Sequence, residues 1–241
     1  MPLPPRARLH GRCALLALLA VACHQAADTG EVQPETAETF GFPLVERELF
    51  DDAQRVGVDH DPVDHSGEGL SGDATCFDYL GRLFPWCYDE HKGTDYLLEG
   101  GFETMDAGSA QVVAAAAGVV IDVRDGNYDR CHVVGTEVSC DGHPIESNLV
   151  MLEHPSGILT RYGHLMKGSI PVTVGDEVEC GDLLGLVGSS GISSTPHLHF
   201  QVERPDGVRF DPYAGPESQP ESWWHDQGDP EGLPGDGCTA P

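Results

Sequence analysis

The sequence predicts an all-β fold of antiparallel sheets with irregular N- and C-terminal arms. Three observations predict it. Short, strand-like apolar runs follow one another from residue 111 to residue 210. Glycine-containing turn signals such as Asp125-Gly126, Gly175-Asp176 and Pro205-Asp206-Gly207 separate them. No long segment of 3.6-residue period appears after the first two dozen residues.

In chain order, residues 1–22 have the layout of an export signal. Arg6, Arg8 and Arg12 precede the apolar run Cys13–Ala22, which is too short to span a membrane, and small residues close it. Ala20-Val21-Ala22-Cys23 also fits a lipoprotein-type signal in which Cys23 would be lipidated and tether the chain to a membrane. The rival reading is ordinary cleavage near Ala22 or Ala27. Either makes the protein exported: periplasmic, a cell-envelope lipoprotein or secreted. Residues 23–70 are acidic and weakly periodic and read as a linker or loosely attached arm. Within them Val58-Asp-His-Asp-Pro-Val-Asp-His65 gathers metal-ligand types without EF-hand spacing, which favours a solvated acidic loop over a segment that covers a site.

From Cys76 to Tyr88 aromatic residues cluster, as core or as a substrate wall. Strands are expected near 111–114, 117–124, 147–153, 157–163, 171–174, 183–187, 197–203 and 208–210. The last 26 residues, 216–241, are rich in Pro, Gly, Glu and Asp; Trp223 and Trp224, within them, could anchor this tail. With Cys13 lost and Cys23 lipidated, six cysteines remain, and an exported protein would pair them. Loop closure favours Cys76–Cys87 and Cys131–Cys140, with Cys180–Cys238 as the residual pair.

Forty acidic and 13 basic residues give a formal charge of −27, which argues against a nucleic-acid partner. Twelve histidines make metal chemistry worth seeking. His197 and His199, two apart on an expected strand, share one face, while Leu198, Phe200 and Val202 face a core. Upstream lie His91-Lys-Gly-Thr-Asp95, a His and a carboxylate that converge if the chain curls at Gly93, and Tyr162-Gly-His164-Leu165.

In order, the chain has His91-Lys-Gly-Thr-Asp95, Val112-Val-Ala-Ala-Ala-Ala-Gly118, Tyr162-Gly-His-Leu165, Gly175-Asp-Glu-Val-Glu-Cys-Gly181, Leu186-Val-Gly-Ser-Ser-Gly191 and His197-Leu-His-Phe200. Together these resemble the lysostaphin-type zinc metallopeptidases, peptidoglycan endopeptidases with LytM-like domains, across residues 88–213. The resemblance implies a LytM-like domain over residues 71–215, with antiparallel sheets and a groove. It implies Zn²⁺ held by His91, Asp95 and His199 with a fourth position for water, and His164 and His197 as the catalytic, non-ligand histidines. The implied reaction is hydrolysis of peptide bonds in cell-wall peptidoglycan. The alternatives are a non-catalytic wall-binding protein or amidase activator, and a secreted zinc protease for other peptides. His60, His65, His132, His143 and His154 match no motif position. The insertion 125–147, with its cysteine pair, and the acidic stretch 100–108 depart from the family pattern, which leaves glycyl-crossbridge and stem-peptide cleavage both open.

Overall fold

The computed structural model describes residues 38–230, 232–235 and 237–238; the expected signal and Cys23 lie outside them. One large antiparallel sheet carries the architecture. Its strands are β1 (Phe50–Val56), β2 (Thr94–Leu98), β4 (Gly118–Arg124), β7 (Leu149–Glu153), β8 (Leu159–Gly163), β9 (Glu177–Val178), β11 (His197–Glu203) and β12 (Arg209–Phe210). They run in the order β1-β2-β11-β8-β7-β4-β9, with β12 paired to β11. A second, two-stranded sheet joins β3 (Gln111–Val113) to β10 (Leu183–Leu186), and β5 (His132–Val134) with β6 (Glu137–Ser139) forms a hairpin. Two short α-helices, α1 (Leu70–Asp73) and α2 (Phe102–Ala107), and one 3-10 turn at Arg47–Leu49 complete the described elements.

The alternation of side chains along strands divides the large sheet into a core face and an open face. Tyr96, Val150, Leu152, Tyr162, Leu198, Phe200 and Val202 are buried on the core face. Against them pack Val112, the alanine run Ala114–Ala116 and Leu184 from the second sheet. The small alanines allow close approach: the Ala115 amide donates to the Tyr162 hydroxyl at 2.8 Å. His199, Gln201 and Glu203 therefore face the open side.

The segment 171–174 is not a strand. Pro171 has no amide to donate, and Asp176 Oδ2 accepts from the Thr173 amide at 2.7 Å, so the stretch closes a turn and the pairing passes to β9. Strands β1, β2, β5, β6 and β9 escape the sequence pattern. Strand β1 reads as acidic arm because it carries Asp51, Asp52 and Arg55, yet it pairs with β2 at the sheet edge.

From residue 38 onward the arm is laid onto the domain rather than loosely attached. Phe40, Phe42, Leu44 and Phe50 are buried in the main core. Arg55 is also buried; its guanidinium donates to the Tyr79 and Tyr213 hydroxyls at 3.0 and 3.1 Å and to the Pro230 and Gly232 carbonyls at 3.0 and 2.7 Å. A buried cation is tolerated only when its donors are satisfied, and here four acceptors tie arm, aromatic segment and tail together. The tail has no helix or strand among its described residues. It is anchored by Trp224, which is buried beside Phe200, and by the Phe40 amide donating to the Trp223 carbonyl at 2.7 Å. All three expected disulfides form: Cys76–Cys87, Cys131–Cys140 and Cys180–Cys238.

Candidate metal centre and active site

The register of β11 brings the distant motifs together. His199 stands opposite Asp95 on β2 and opposite Gly163 on β8, the residue before His164. His91 lies on the turn leading into β2. As a result Asp95 Oδ1 is 2.8 Å from His199 Nδ1 and 3.2 Å from His91 Nε2, and those two nitrogens are 3.3 Å apart. One ligand atom from each of the three lies within 4.8 Å of the others, a group that could hold a metal ion. His197 and His164 stand alongside: His197 Nε2 is 3.5 Å from Asp95 Oδ1, and the His164 ring centroid is 4.6 Å from that of His197 and 5.7 Å from that of His199.

Gly93 belongs in this motif for a reason other than a curl of the chain. Its φ is not in the left-handed region, but an added Cβ would meet His199 Nε2 at 2.6 Å and the Phe200 carbonyl at 2.7 Å. The His199 ring occupies the space a side chain would take. Two non-glycine residues flanking the site do adopt left-handed backbone, Glu90 (φ 60°) and His164 (φ 63°). Such conformations persist only where the surroundings over-determine them. Asp59 Oδ2 accepts from the Glu90 amide at 3.0 Å, and Ser147 Oγ accepts from the His164 amide at 3.0 Å.

The hydrogen bonds around each ring fix its tautomer, because a carbonyl can only accept. His91 Nδ1 donates to the Gly57 carbonyl at 2.7 Å, leaving the Nε2 lone pair toward Asp95. His164 Nδ1 donates to the Ser190 carbonyl at 2.6 Å and His197 Nδ1 to the Thr195 carbonyl at 2.7 Å, so both present a free Nε2 lone pair. His199 is reversed. Its Nε2 faces Gln201 Oε1 at 3.4 Å, and Gln201 Nε2 donates to Glu203 Oε2 at 3.2 Å. Glu203 can only accept, which turns the Gln201 amide with its oxygen toward His199 and leaves Nδ1 as the ligand atom.

Charge within the cluster is finely set. Burial opposes the Asp95 carboxylate, but the neighbouring His91, His197 and His199 rings hold its pKa well below the usual carboxylate range. Burial lowers His199, against the pull of Asp95. It also disfavours the charged form of His91, yet Asp95 and the Gly57 carbonyl leave that ring raised. Burial, then the neighbouring His197 and His199, push His164 well below the ordinary histidine value, so it stays neutral. With both rings deprotonated, His91 Nε2, His199 Nδ1 and the ionised Asp95 carboxylate form an N,N,O donor set of the kind that suits zinc.

Several residues around the site carry no sequence signal. Asp59, within the expected solvated loop, is a bracket: its Oδ1 accepts from the Asp61 and Phe77 amides, and its own amide donates to the His91 carbonyl at 2.9 Å. Tyr88 stacks on His91 with centroids 4.2 Å apart, while Tyr79 enters the core, so the aromatic segment serves both roles. On the other side, the Cys131 carbonyl of the insertion accepts from Ser189 Oγ at 2.7 Å, Ser189 Oγ lies 2.8 Å from Ser193 Oγ, and Ser193 Oγ lies 3.3 Å from His197 Nδ1. The stretch Gly188-Ser-Ser-Gly-Ile-Ser-Ser194 reads as a turn and conceals this chain of hydroxyls. His154 is buried between the Ala117 carbonyl and Thr160 Oγ1, both at 2.8 Å, and serves packing. His60 pairs with Asp211 at 3.2 Å, His65 with Glu68, His132 with the Arg130 carbonyl, and His143 stacks on Tyr128.

Peptidoglycan DD-endopeptidase ShyB of Vibrio cholerae is 34% identical over 122 residues, 51% of this chain and 21% of that protein. Murein hydrolase activator EnvC of Escherichia coli is 31% identical over 99 residues, 41% of this chain and 23% of that protein. The chain thus spans about a fifth of the length of the curated relatives it matches. The catalytic domain of lysostaphin from Staphylococcus simulans is 26% identical, with 52% of this chain and 77% of that domain covered at a TM-score of 0.35. Residues 89–212, just over half the chain, match Peptidase family M23, and the chain belongs to that family.

Proposed function

We propose that the chain is an exported zinc endopeptidase that hydrolyses peptide bonds of bacterial cell-wall peptidoglycan. The observation that supports this most is the convergence of His91 Nε2, Asp95 Oδ1 and His199 Nδ1, with His164 and His197 beside them. His91, Asp95 and His199 would hold the ion. Zinc, when bound, supplies a Lewis acid that polarises a carbonyl and acidifies water. The chain's own residues do the rest. His164 and His197 share the proton handling: the Nε2 lone pair of one takes a proton from the attacking water and passes it to the amine nitrogen as the C–N bond breaks, while the other, when protonated, donates a hydrogen bond to the oxygen of the tetrahedral adduct. The Ser190 and Thr195 carbonyls keep both rings aimed. The relative ShyB is named for peptidoglycan endopeptidase activity, which favours a wall substrate.

The test is purified protein incubated with sacculi, with and without a chelator. Peptide release that the chelator abolishes and added zinc restores is expected; a folded, zinc-loaded sample that releases nothing would count against the reading. The likeness to the activator EnvC supports a second reading, a non-catalytic amidase activator. Metal analysis separates the two, because that reading expects no stoichiometric zinc.

A further inference from the structure

Thirteen basic residues stand against 40 acidic ones in this chain, yet arginines gather on the open face beside the candidate site. The register aligns Asp122, Met151, Arg161 and Gln201 across β4, β7, β8 and β11. Arg161 therefore stands opposite the residue that faces the His199 ring, on the same side of the sheet. A cavity of about 380 Å³ opens there, lined by Arg124, Arg161, Ser147, His164, Glu146 and Ile192, among others.

The arginines differ in their partners. Arg124 pairs with Asp122 at 3.1 Å and Arg209 with Glu203 at 3.6 Å. Arg161 makes no ion pair or side-chain hydrogen bond among the described residues. It is half-buried; burial, then the charges of Arg124 and Arg209, disfavour its charged form, and the more distant carboxylates of Asp122 and Glu203 offset this only in part. A guanidinium does not respond by losing its proton. It is left with two-pronged donors, a matching cavity and a charge that a bound anion would relieve.

We propose that Arg161, supported by Arg124, forms a subsite for a free carboxylate of the peptide substrate, placed about two residues from the scissile bond as judged from strand spacing. The inference rests on the reading of the site as a peptidase and narrows it. Stem peptides carry free carboxylates and glycine bridges do not, so the subsite selects stem peptides.

The experiment is calorimetric binding of an uncrosslinked stem peptide with free carboxylates, and of the same peptide with its carboxylates amidated, to the full chain. The wild type is expected to bind the free form at least tenfold more tightly. Arg161→Gln should bring that ratio near one with zinc content and melting temperature unchanged, Arg161→Lys should restore part of it, and Arg124→Gln should lower it less. A wild-type ratio near one, or a ratio that survives in a folded Arg161→Gln protein, overturns the subsite. Carboxylate preference without peptide release from sacculi would fail the hydrolase reading alone. Release without that preference would fail the subsite alone.

Discussion

The two walls of the site are built differently. The wall behind His91 belongs to the N-terminal arm: the Gly57 carbonyl and the Asp59 carboxylate reach it from a segment continuous with strand β1, locked through Arg55 to the tail. The wall behind His197 and His164 belongs to the insertion and the Gly188–Gly191 turn, where serine hydroxyls and backbone carbonyls form a chain tied by Cys131–Cys140. The hairpin it carries leaves Val133 and Val134 exposed. The first wall is core and aims a candidate ligand. The second sits at the surface and aims the candidate proton carriers. The difference teaches that metal retention and turnover are supported by separate parts of the chain and can be perturbed separately.

The largest effect that would sharpen this division is at the centre. His199→Ala should empty the site, seen as loss of stoichiometric zinc by elemental analysis, whereas His197→Ala should keep zinc and lose about 10²–10⁴-fold in turnover. Opposite results would reverse the assignment of ligand and proton carrier. Next comes the arm: Arg55→Ala leaves buried hydroxyls and carbonyls short of a partner and should cost on the order of 2–4 kcal/mol, read from denaturant unfolding. A wild-type midpoint would show the arm to be dispensable. Asp59→Ala should lower zinc affinity roughly tenfold with turnover of the zinc-saturated enzyme little changed, by the logic of outer-shell partners. The smallest effect is expected from Ser193→Ala, a drop of a few-fold in turnover at unchanged zinc affinity, since one neutral hydrogen bond contributes about 1 kcal/mol. If Ser193→Ala weakened zinc binding and Asp59→Ala did not, the two-wall division would fail.

Much of the candidate site was legible through the ordered motifs that carry the family resemblance, and spacing alone accounts for one part of it. Two histidines two apart on a strand must share a face, whatever the rest of the chain does. The strands from β7 onward were legible apart from 171–174, where a proline and an Asx-type turn displaced the pairing to β9. Strand β1 was hidden by its charge, and β2 by reading as a ligand loop. Arg55 illustrates the difficulty: an arginine in an acidic segment signals solvent until four acceptors from elsewhere surround it.

The all-β class, the order of the motifs and the two short cysteine loops could be read from the sequence, because alternation, turn chemistry and loop closure are local properties, whereas the donor set at residues 91, 95 and 199 came from the family resemblance and Cys180–Cys238 only as the residual pair. The tertiary structure was needed to show which nitrogen of each ring is free, why residue 93 must be glycine, and that Arg161 makes no direct ion pair among the described residues. Those facts depend on backbone carbonyls and cross-strand register. Every residue carries the same carbonyl, so nothing in its name tells that Gly57 aims His91 or that Ser190 aims His164.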